Sequence, residues 1–324
     1  MQMTSISEKI DVHAHFLPPV YLKALSEAGL RTLDGGFPIP AWSADAHLDA
    51  MQRFGIRTSI LSISTPCVHF LAGRPAQHLA RAVNEAGAEL VRTYPGRFAA
   101  LASLPLPDPS ASVAELAYAL DVLGLDGVLL ETNAHGIYLG SSTMEPIYQA
   151  LNERRAVMAI HPTSPACFEQ VALGRPAPMI EFQFDTTRAV VDLIFSGVLA
   201  RFPDIKVIVP HGGAALSVLA PRLAMFAEMP FISPRPASAQ ALLAQLKRLH
   251  YDLAASAHPA MFAALRALVP TSQILFGSDW PFTPDAGVHR NVTGFDALEM
   301  TDDDRAAIAC ENAMRIFPRT AGPP

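Results

Sequence analysis

The stretch Asp11-Val12-His13-Ala14-His15-Phe16 is the part of the sequence from which the fold can be argued. On a β-strand, residues two apart point the same way, so His13 and His15 can chelate one ion while Ala14 faces the opposite side. On a helix the two imidazoles would diverge by about 200°. Two histidines in this spacing could also be ordinary polar residues on a half-exposed strand. The residues at the ends of the other strands are needed to distinguish this possibility from a metal-binding pair.

Short apolar runs alternate with longer amphipathic stretches along the chain. Runs such as Val128-Leu129-Leu130 and Val207-Ile208-Val209 are apolar throughout, which is typical of parallel strands covered on both faces. Helical patterns occupy residues 77–86, 187–199 and 259–268. The predicted strands are 9–16, 58–64, 98–104, 127–131, 157–161, 206–210, 251–255 and 273–277. Strands that alternate with helices in this way predict a (β/α)₈ barrel. A doubly wound sheet is the alternative, but no Gly-x-Gly-x-x-Gly motif follows the first strand.

Two segments interrupt the alternation. Residues 30–43 are rich in Gly and Pro and follow the first strand, so we expect them to form a flap over the mouth of the barrel. Residues 229–239 form a second Pro-rich excursion, between strands six and seven. The sequence has no evident linker or internal repeat, which predicts a single domain over residues 1–324.

The composition excludes several classes of protein. Half of the 324 residues are apolar, 17% are charged, and 24 basic against 30 acidic residues give a net charge of −6. Because no block of like charge occurs, we expect neither a nucleic-acid partner nor a membrane partner. Residues 1–5 lack a signal pattern and no apolar run reaches about 18 residues, so we expect a cytoplasmic protein.

The ends of the predicted strands carry further metal-binding side chains. In a (β/α)₈ barrel these ends meet at one mouth, where His161 ends strand five and Asp279 follows strand eight. Imidazole nitrogens and a carboxylate suit zinc or manganese. The sequence therefore predicts one divalent metal ion, with zinc preferred, held by His13, His15, His161 and Asp279.

His211 ends strand six and is followed by two glycines, which let the backbone approach a substrate or a helix closely. We expect it to act as a catalytic acid or base beside the metal, although a ligand role and a purely structural role stay open. His258, just after strand seven, is a candidate for substrate binding. Trp42 and Trp280 could wall an aromatic pocket. The other histidines, among them His47, His69, His78, His135, His250 and His289, are expected on the surface or in loops.

With these residues in view, the chain resembles the metal-dependent decarboxylase branch of the amidohydrolase superfamily. The branch includes α-amino-β-carboxymuconate-ε-semialdehyde, γ-resorcylate and 6-methylsalicylate decarboxylases. The resemblance extends over about residues 10–312 and rests on the following segments: Asp11-Val12-His13-Ala14-His15-Phe16-Leu17-Pro18, His161-Pro162, Arg201-Phe202-Pro203, His211-Gly212-Gly213 and Gly277-Ser278-Asp279-Trp280-Pro281-Phe282.

The resemblance implies the same four metal ligands, and it makes His211 and Asp279 catalytic. It also implies that Arg222, on the helix after the His-Gly-Gly turn, grips a substrate carboxylate, in some members from a neighbouring subunit. We therefore expect a homodimer or a dimer-based oligomer.

The flap departs from the semialdehyde type, because no basic residue lies between Arg31 and Arg53. This favours a monocarboxylated aromatic acid over a dicarboxylate. The γ-resorcylate type has a glutamate where this chain has His13. The flap sequence Pro38-Ile39-Pro40-Ala41-Trp42-Ser43 and the strand segment 59–66 are most similar to the 6-methylsalicylate type.

These observations predict a non-oxidative decarboxylase of a small aromatic, salicylate-like acid such as 6-methylsalicylate. A hydrolase of an amide, ester or lactone, in which a metal-activated water attacks a carbonyl, is the alternative. Binuclear hydrolases of this fold usually carry a lysine at the end of strand four, and this chain has Glu131-Thr132-Asn133-Ala134-His135 there. A non-catalytic barrel stabilised by a metal is the second alternative.

Overall fold

Eight parallel strands form the barrel in a computed structural model that describes residues 8–321. They are β1 (Lys9–His15), β2 (Ile56–Ser62), β3 (Phe98–Ser103), β4 (Gly127–Glu131), β5 (Val157–His161), β6 (Lys206–Val209), β7 (His250–Asp252) and β8 (Ile274–Leu275). Their spatial order follows the chain. The predicted (β/α)₈ barrel is confirmed. Residues 1–5, in which the sequence analysis found no signal pattern, lie outside the described residues.

Backbone hydrogen bonds close the barrel between its last and first strands. The N–H of Val12 donates to the carbonyl of Phe276 (3.0 Å), and the N–H of His15 donates to that of Trp280 (2.8 Å). In β6, Val207, Ile208 and Val209 are all buried although successive side chains point to opposite faces. Both faces of the sheet are therefore covered, as the apolar runs predicted.

The helices cover the outside of the barrel. They are α1 (Pro19–Glu27), α2 (Ala44–Phe54), α3 (Arg74–Thr93), α4 (Pro109–Ala117), α5 (Glu145–Glu153), α6 (Phe168–Val171), α7 (Glu181–Phe195), α8 (Val198–Arg201), α9 (Leu216–Ala227), α10 (Ala239–Arg248), α11 (Pro259–Leu268), α12 (Asp285–Ala297), α13 (Asp302–Ala306) and α14 (Asn312–Ile316). Within residues 8–321, none of the helices has the length and apolar character that crossing a bilayer requires.

Some predicted bounds differ from the structure for local reasons. The last two strands are shorter than expected: β7 ends at Asp252 and β8 ends at Leu275. The chain beyond them passes through positive φ angles at Ala255 (50°) and Asp279 (62°). The predicted helix 187–199 instead begins at Glu181 and is interrupted at Gly197, whose φ is 79°. The region 229–239 joins α9 to α10 largely without regular structure, as expected.

Two excursions cover the mouth of the barrel. In the predicted flap, Thr32–Leu33 pairs antiparallel with Phe37–Pro38 around the turn Asp34–Gly36. A long segment between β5 and α7, which the sequence analysis did not single out, approaches the flap from the other side. A Cβ atom on Gly35 would lie 2.5 Å from the Cβ of Ala177, so the two excursions are in close contact. We call residues 33–37 and 178–183 the roof.

Candidate metal centre

The structure brings the four predicted metal ligands together at the mouth. His13 and His15 lie on β1, His161 ends β5, and Asp279 follows β8. One potential ligand atom from each of the four lies within 4.8 Å of the others. In the part of the chain that the structure describes, no other three His, Cys, Asp or Glu side chains form such a group.

The free atoms of this group fit a divalent cation. The Nε2 atoms of His13 and His15 are buried and have no hydrogen-bond partner among the described residues. They lie 3.6 and 3.2 Å from Oδ1 of Asp279. A buried, unpaired polar atom costs about 1–3 kcal/mol, and a cation between these atoms would remove that cost. Three imidazoles and a carboxylate are also donors that zinc and manganese accept.

Hydrogen bonds at the other ring nitrogen orient two of the imidazoles. Nδ1 of His161 lies 2.9 Å from the carbonyl oxygen of Pro162, and Nδ1 of His15 lies 3.3 Å from that of Ser62. When Nδ1–H donates to a carbonyl, the lone pair of Nε2 is left free. In both residues Nε2 is therefore the atom available to a metal.

Asp252, at the end of β7, orients the third imidazole and was missed by the sequence analysis. Nδ1–H of His13 donates to Oδ2 of Asp252 (3.0 Å), and the backbone N–H groups of His211 and Ala254 donate to Oδ1 (3.1 and 2.9 Å). Burial by itself would raise the pKa of Asp252, but the adjacent His13 lowers it below its usual value. The carboxylate thus fixes both a predicted ligand and the backbone of the predicted catalytic histidine.

Asp11 joins the two chain segments that carry ligands. Its Oδ1 accepts hydrogen bonds from the N–H groups of His13 (3.1 Å) and Ser278 (2.9 Å), and its Oδ2 accepts one from the hydroxyl of Ser278 (2.5 Å). Burial raises the pKa of Asp11 to about 7. Because Ser278 immediately precedes Asp279, this carboxyl group holds the Asp279 turn against β1.

The protein environment shifts the pKa values of the four predicted ligands in different directions. Burial disfavours a charge on His13, but the carboxylates of Asp252 and Asp279 outweigh it and raise its pKa to about 9. Burial lowers the pKa values of His15 and His161. Burial would raise the pKa of Asp279, yet the adjacent imidazoles of His15, His211 and His13 lower it well below its usual range. The burial of His15 and His161 thus favours their neutral form, which is the form that binds a metal.

His211 lies beside Asp279, outside the group of four. Its Nε2 is 3.8 Å from Oδ2 of Asp279, whereas Oδ1 of Asp279 faces the ligand imidazoles. His211 and Asp279 both have positive φ angles, 56° and 62°, a conformation that costs of order 1–3 kcal/mol for residues other than glycine. Cβ atoms on Gly212 and Gly213 would clash with Met261 and Tyr251, so the two glycines permit the close packing predicted for them.

A cavity of about 280 Å³ lies above the group and under the roof. Three phenylalanines, Phe37, Phe182 and Phe282, form its aromatic wall. The polar side chains that line it include those of Asp34, Ser64, Thr65, Gln183 and Thr283. His161, His211 and Asp279 also reach it. Among the described residues that line the cavity there is no Lys or Arg. The space therefore suits a small ring with a single acidic group directed at the metal ligands.

Three of the predicted substrate contacts lie outside this lining. Trp42 packs on Phe16 and donates from Nε1 to Nδ1 of His47 (3.2 Å). His258 caps α11, with its side chain accepting from the N–H of Met261, and it is exposed. Arg222 is exposed on α9 and stacks over Phe226. The structure thus gives Trp42 a packing position and His258 a capping position in place of cavity positions.

One expectation about the other histidines was wrong: His47 is buried on α2 instead of lying on the surface or in a loop. His69 lies in a turn after β2, as expected, but its side chain is buried. His47 packs on the ring of Trp280, which donates from Nε1 to Asp285, so this tryptophan also lies outside the cavity lining. His69 lies 2.5 Å from a carboxylate oxygen of Glu131. The contacts of His47 with Trp280 and of His69 with Glu131 join residues that are distant in the sequence, so spacing could not have predicted them.

Comparison with known proteins agrees with this geometry. The amidohydrolase family model matches residues 10–319. The chain is 33% identical to 6-methylsalicylic acid decarboxylase of Penicillium expansum over 97% of each chain, and 34% identical to decarboxylase yanB of Aspergillus niger over 96% of this chain and 88% of that one. The crystal structure of an amidohydrolase II superposes with a TM-score of 0.89 at 32% identity, and the match covers 96% of this chain and 99% of that one. With the strand-end histidines and aspartate in the places described above, this chain belongs to the amidohydrolase family.

Proposed function

We propose that this protein is a metal-dependent, non-oxidative decarboxylase of a small aromatic, salicylate-like carboxylic acid. The observation that carries the proposal is the position of Asp279. Its Oδ1 faces the ligand imidazoles and its Oδ2 faces His211, at the floor of a cavity with phenylalanine walls. One carboxylate can therefore serve both metal binding and proton transfer.

His13, His15, His161 and Asp279 would hold the metal. A bound divalent ion supplies a Lewis acid that can engage a carboxylate and an adjacent oxygen of the acid. We propose zinc as the resident ion, because three imidazole nitrogens with one carboxylate suit its preferred donors. Manganese is the alternative, and elemental analysis of protein purified without added metal separates the two.

His211 and Asp279 would transfer the proton that decarboxylation requires. Loss of CO₂ from an aromatic carboxylate requires one proton at the ring carbon that carries it: the C–C bond breaks, its electron pair stays on the ring, and a C–H bond forms. Nε2 of His211 lies 3.8 Å from Oδ2 of Asp279, so the proton would come from His211 to this oxygen and from there to the ring.

The walls of the cavity support the choice of substrate. Phe37 and Phe282 pack against each other with ring centroids 6.0 Å apart, and Phe282 also contacts His15. A flat aromatic ring can bury its faces against such side chains. The absence of Lys and Arg among the described lining residues disfavours a dicarboxylate. Named relatives act on 6-methylsalicylic acid, which has these properties.

Glu131 weakens the case for a binuclear hydrolase. It occupies the end of β4, and its carboxylate pairs with His69 (2.5 Å) outside the group of four. The lysine that binuclear hydrolases of this fold usually carry is therefore absent at that position, and the carboxylate found there is engaged by His69.

A panel of hydroxybenzoic acids, aryl esters and lactones tests the proposal. Metal-loaded protein should release CO₂ and the matching phenol from at least one salicylate-type acid, and chelation should abolish the release. Hydrolysis of esters or lactones without CO₂ from any acid would establish the hydrolase instead. Retained fold with no turnover on either class would favour the non-catalytic barrel.

Arg222 would complete the site in a homodimer. On α9 it lies on an exposed face with Val218 (72% exposed) and Met225 (46% exposed), at helix positions i, i+4 and i+7. An apolar exposed face of this kind suits a second copy of the chain. A guanidinium can hold a carboxylate through two parallel hydrogen bonds.

Mixing two inactive variants tests the shared site. Arg222→Ala combined with His161→Ala should recover part of the activity, because a mixed dimer contains one intact site. Arg222→Lys alone should raise KM for the acid with metal content unchanged, since lysine cannot form the paired hydrogen bonds. A fully active monomer in solution would reject the shared site, and wild-type kinetics in Arg222→Ala would reject the clamp.

A further inference from the structure

Asp34 is a carboxylate in the roof that the proposed mechanism does not use. It lies at the turn of the flap and lines the same cavity as His161, His211 and Asp279. No cation forms a salt bridge with it among residues 8–321. A negative charge thus borders a cavity that must accept an anionic acid.

The hydrogen bonds of Asp34 are all on one oxygen. Oδ2 accepts from the hydroxyls of Thr65 (3.4 Å) and Thr163 (2.8 Å) and from the N–H of Ser164 (2.5 Å). The described residues donate no hydrogen bond to Oδ1. An ionised carboxylate has about four acceptor sites, two on each oxygen. Oδ1 of Asp34 can therefore still accept hydrogen bonds from a ligand.

The position of Asp34 is fixed from both sides. Thr65 follows β2, whereas Thr163 and Ser164 follow β5, so the carboxylate is tied to two strand ends. Behind it, Gly35 lies so close to Ala177 that any Cβ would clash. A carboxylate that the fold holds in this way can select a ligand without first being ordered.

We propose that Asp34 is a specificity-determining residue whose Oδ1 accepts a hydrogen bond from a second ring hydroxyl of the substrate. The inference rests on the proposed function and narrows it: the preferred acid carries a hydroxyl at the ring position that faces the flap, in addition to the hydroxyl beside the carboxylate. A methyl group there would leave Oδ1 buried against carbon, and a second carboxylate would be repelled.

Matched acids that differ only by hydroxyl or methyl test the inference. The pairs are 2,6-dihydroxybenzoate with 6-methylsalicylate, and the 3-, 4- and 5-hydroxysalicylates with the corresponding methylsalicylates. At one ring position wild-type kcat/KM should favour the hydroxyl acid by about ten- to a hundredfold, the range for a hydrogen bond to a charged group. Asp34→Asn and Asp34→Ala should each reduce that ratio to about threefold or less.

The Asp34→Asn variant distinguishes two roles of Asp34, which are selecting the substrate and holding the flap in place. Its side-chain carbonyl can still accept from Thr163 and Ser164, but its NH₂ group replaces the free acceptor. A role confined to holding the flap therefore predicts a wild-type ratio in Asp34→Asn. Asp45→Asn, which removes an exposed charge on α2, is the matched control and should keep the wild-type ratio.

Calorimetric titration of the same pairs into metal-loaded protein requires no turnover. If no acid releases CO₂, the proposed decarboxylase fails, and the binding ratios still decide the role of Asp34. Ratios within twofold at every ring position in the wild type would overturn the inference. Ratios that stay unchanged in both Asp34 variants would also overturn it.

Discussion

The metal-ligand group and the roof differ in how the fold holds them. His13, His15 and His161 are at most 6% exposed and belong to strands whose backbones are hydrogen-bonded on both sides. The roof consists of loop segments and the first turn of α7, and it includes exposed side chains such as Met179 and Ile180. The barrel thus fixes the groups to which we assign the chemistry, while the roof supplies the walls to which we assign substrate selection. Changes in the group should affect metal content and turnover, and changes in the roof should affect substrate preference.

The largest effect should follow loss of a ligand. His13→Ala, His161→Ala and Asp279→Asn should each lose most of the bound metal and at least about a thousandfold in kcat/KM, because each removes one of only four donors. Elemental analysis and CO₂ release measure the two quantities. His78→Ala, on the exposed side of α3, is the control. Full metal content in two of the three variants would refute the assigned site.

A smaller effect, confined to turnover, is expected at His211. His211→Ala should lower kcat by about 10²–10⁴-fold, the usual contribution of a general acid or base. Its metal content should equal that of the wild type, because His211 lies outside the group of four. Loss of the metal in His211→Ala would show instead that His211 is itself a metal ligand.

Asp252 tests whether the barrel also positions the ligands through hydrogen bonds. Asp252→Asn should weaken metal binding by about 10–100-fold, the usual result of removing a carboxylate that orients a ligand histidine. Competition with a chelator measures the dissociation constant. Asp303→Asn, an exposed carboxylate, is the control. An unchanged dissociation constant would show that β1 alone orients His13.

The smallest effect should come from the roof. Phe37→Ala should raise KM about three- to tenfold, since part of a phenylalanine face is lost to the substrate, with metal content unchanged. Steady-state kinetics on the best acid measures it, and Val122→Ala, an exposed change outside the cavity lining, is the control. A loss of metal in Phe37→Ala would mean that roof and ligand group are not separable.

The sequence predicts that the four side chains of the metal-ligand group cluster, because strand ends of a (β/α)₈ barrel converge by geometry alone, and their role as metal ligands stays a prediction. His13, His15, His161 and Asp279 could be placed from their strands without knowing any loop. Asp252 carried the same signal, a charged residue within the seventh predicted strand, but its partner His13 is 239 positions away. The single-domain organisation and the cytoplasmic location stay predictions.

The roof could not be predicted in the same way. Asp34 meets Thr163 and Ser164 only because two irregular segments fold over the mouth, and neither segment has a periodic pattern. Trp42 illustrates the same limit: it lies in the predicted flap but packs on Phe16 instead of the cavity. Loop side chains depend on tertiary packing, which spacing in the sequence does not encode.

Decarboxylation in D₂O tests the central claim most directly. Metal-loaded protein acting on a salicylate-type acid should release one CO₂ per phenol, and the phenol should carry one deuterium at the carbon that lost the carboxylate. Chelation should abolish both signals, and His211→Ala should slow both by the same factor. Phenol without deuterium at that carbon, or CO₂ release that survives complete removal of the metal, would contradict the account.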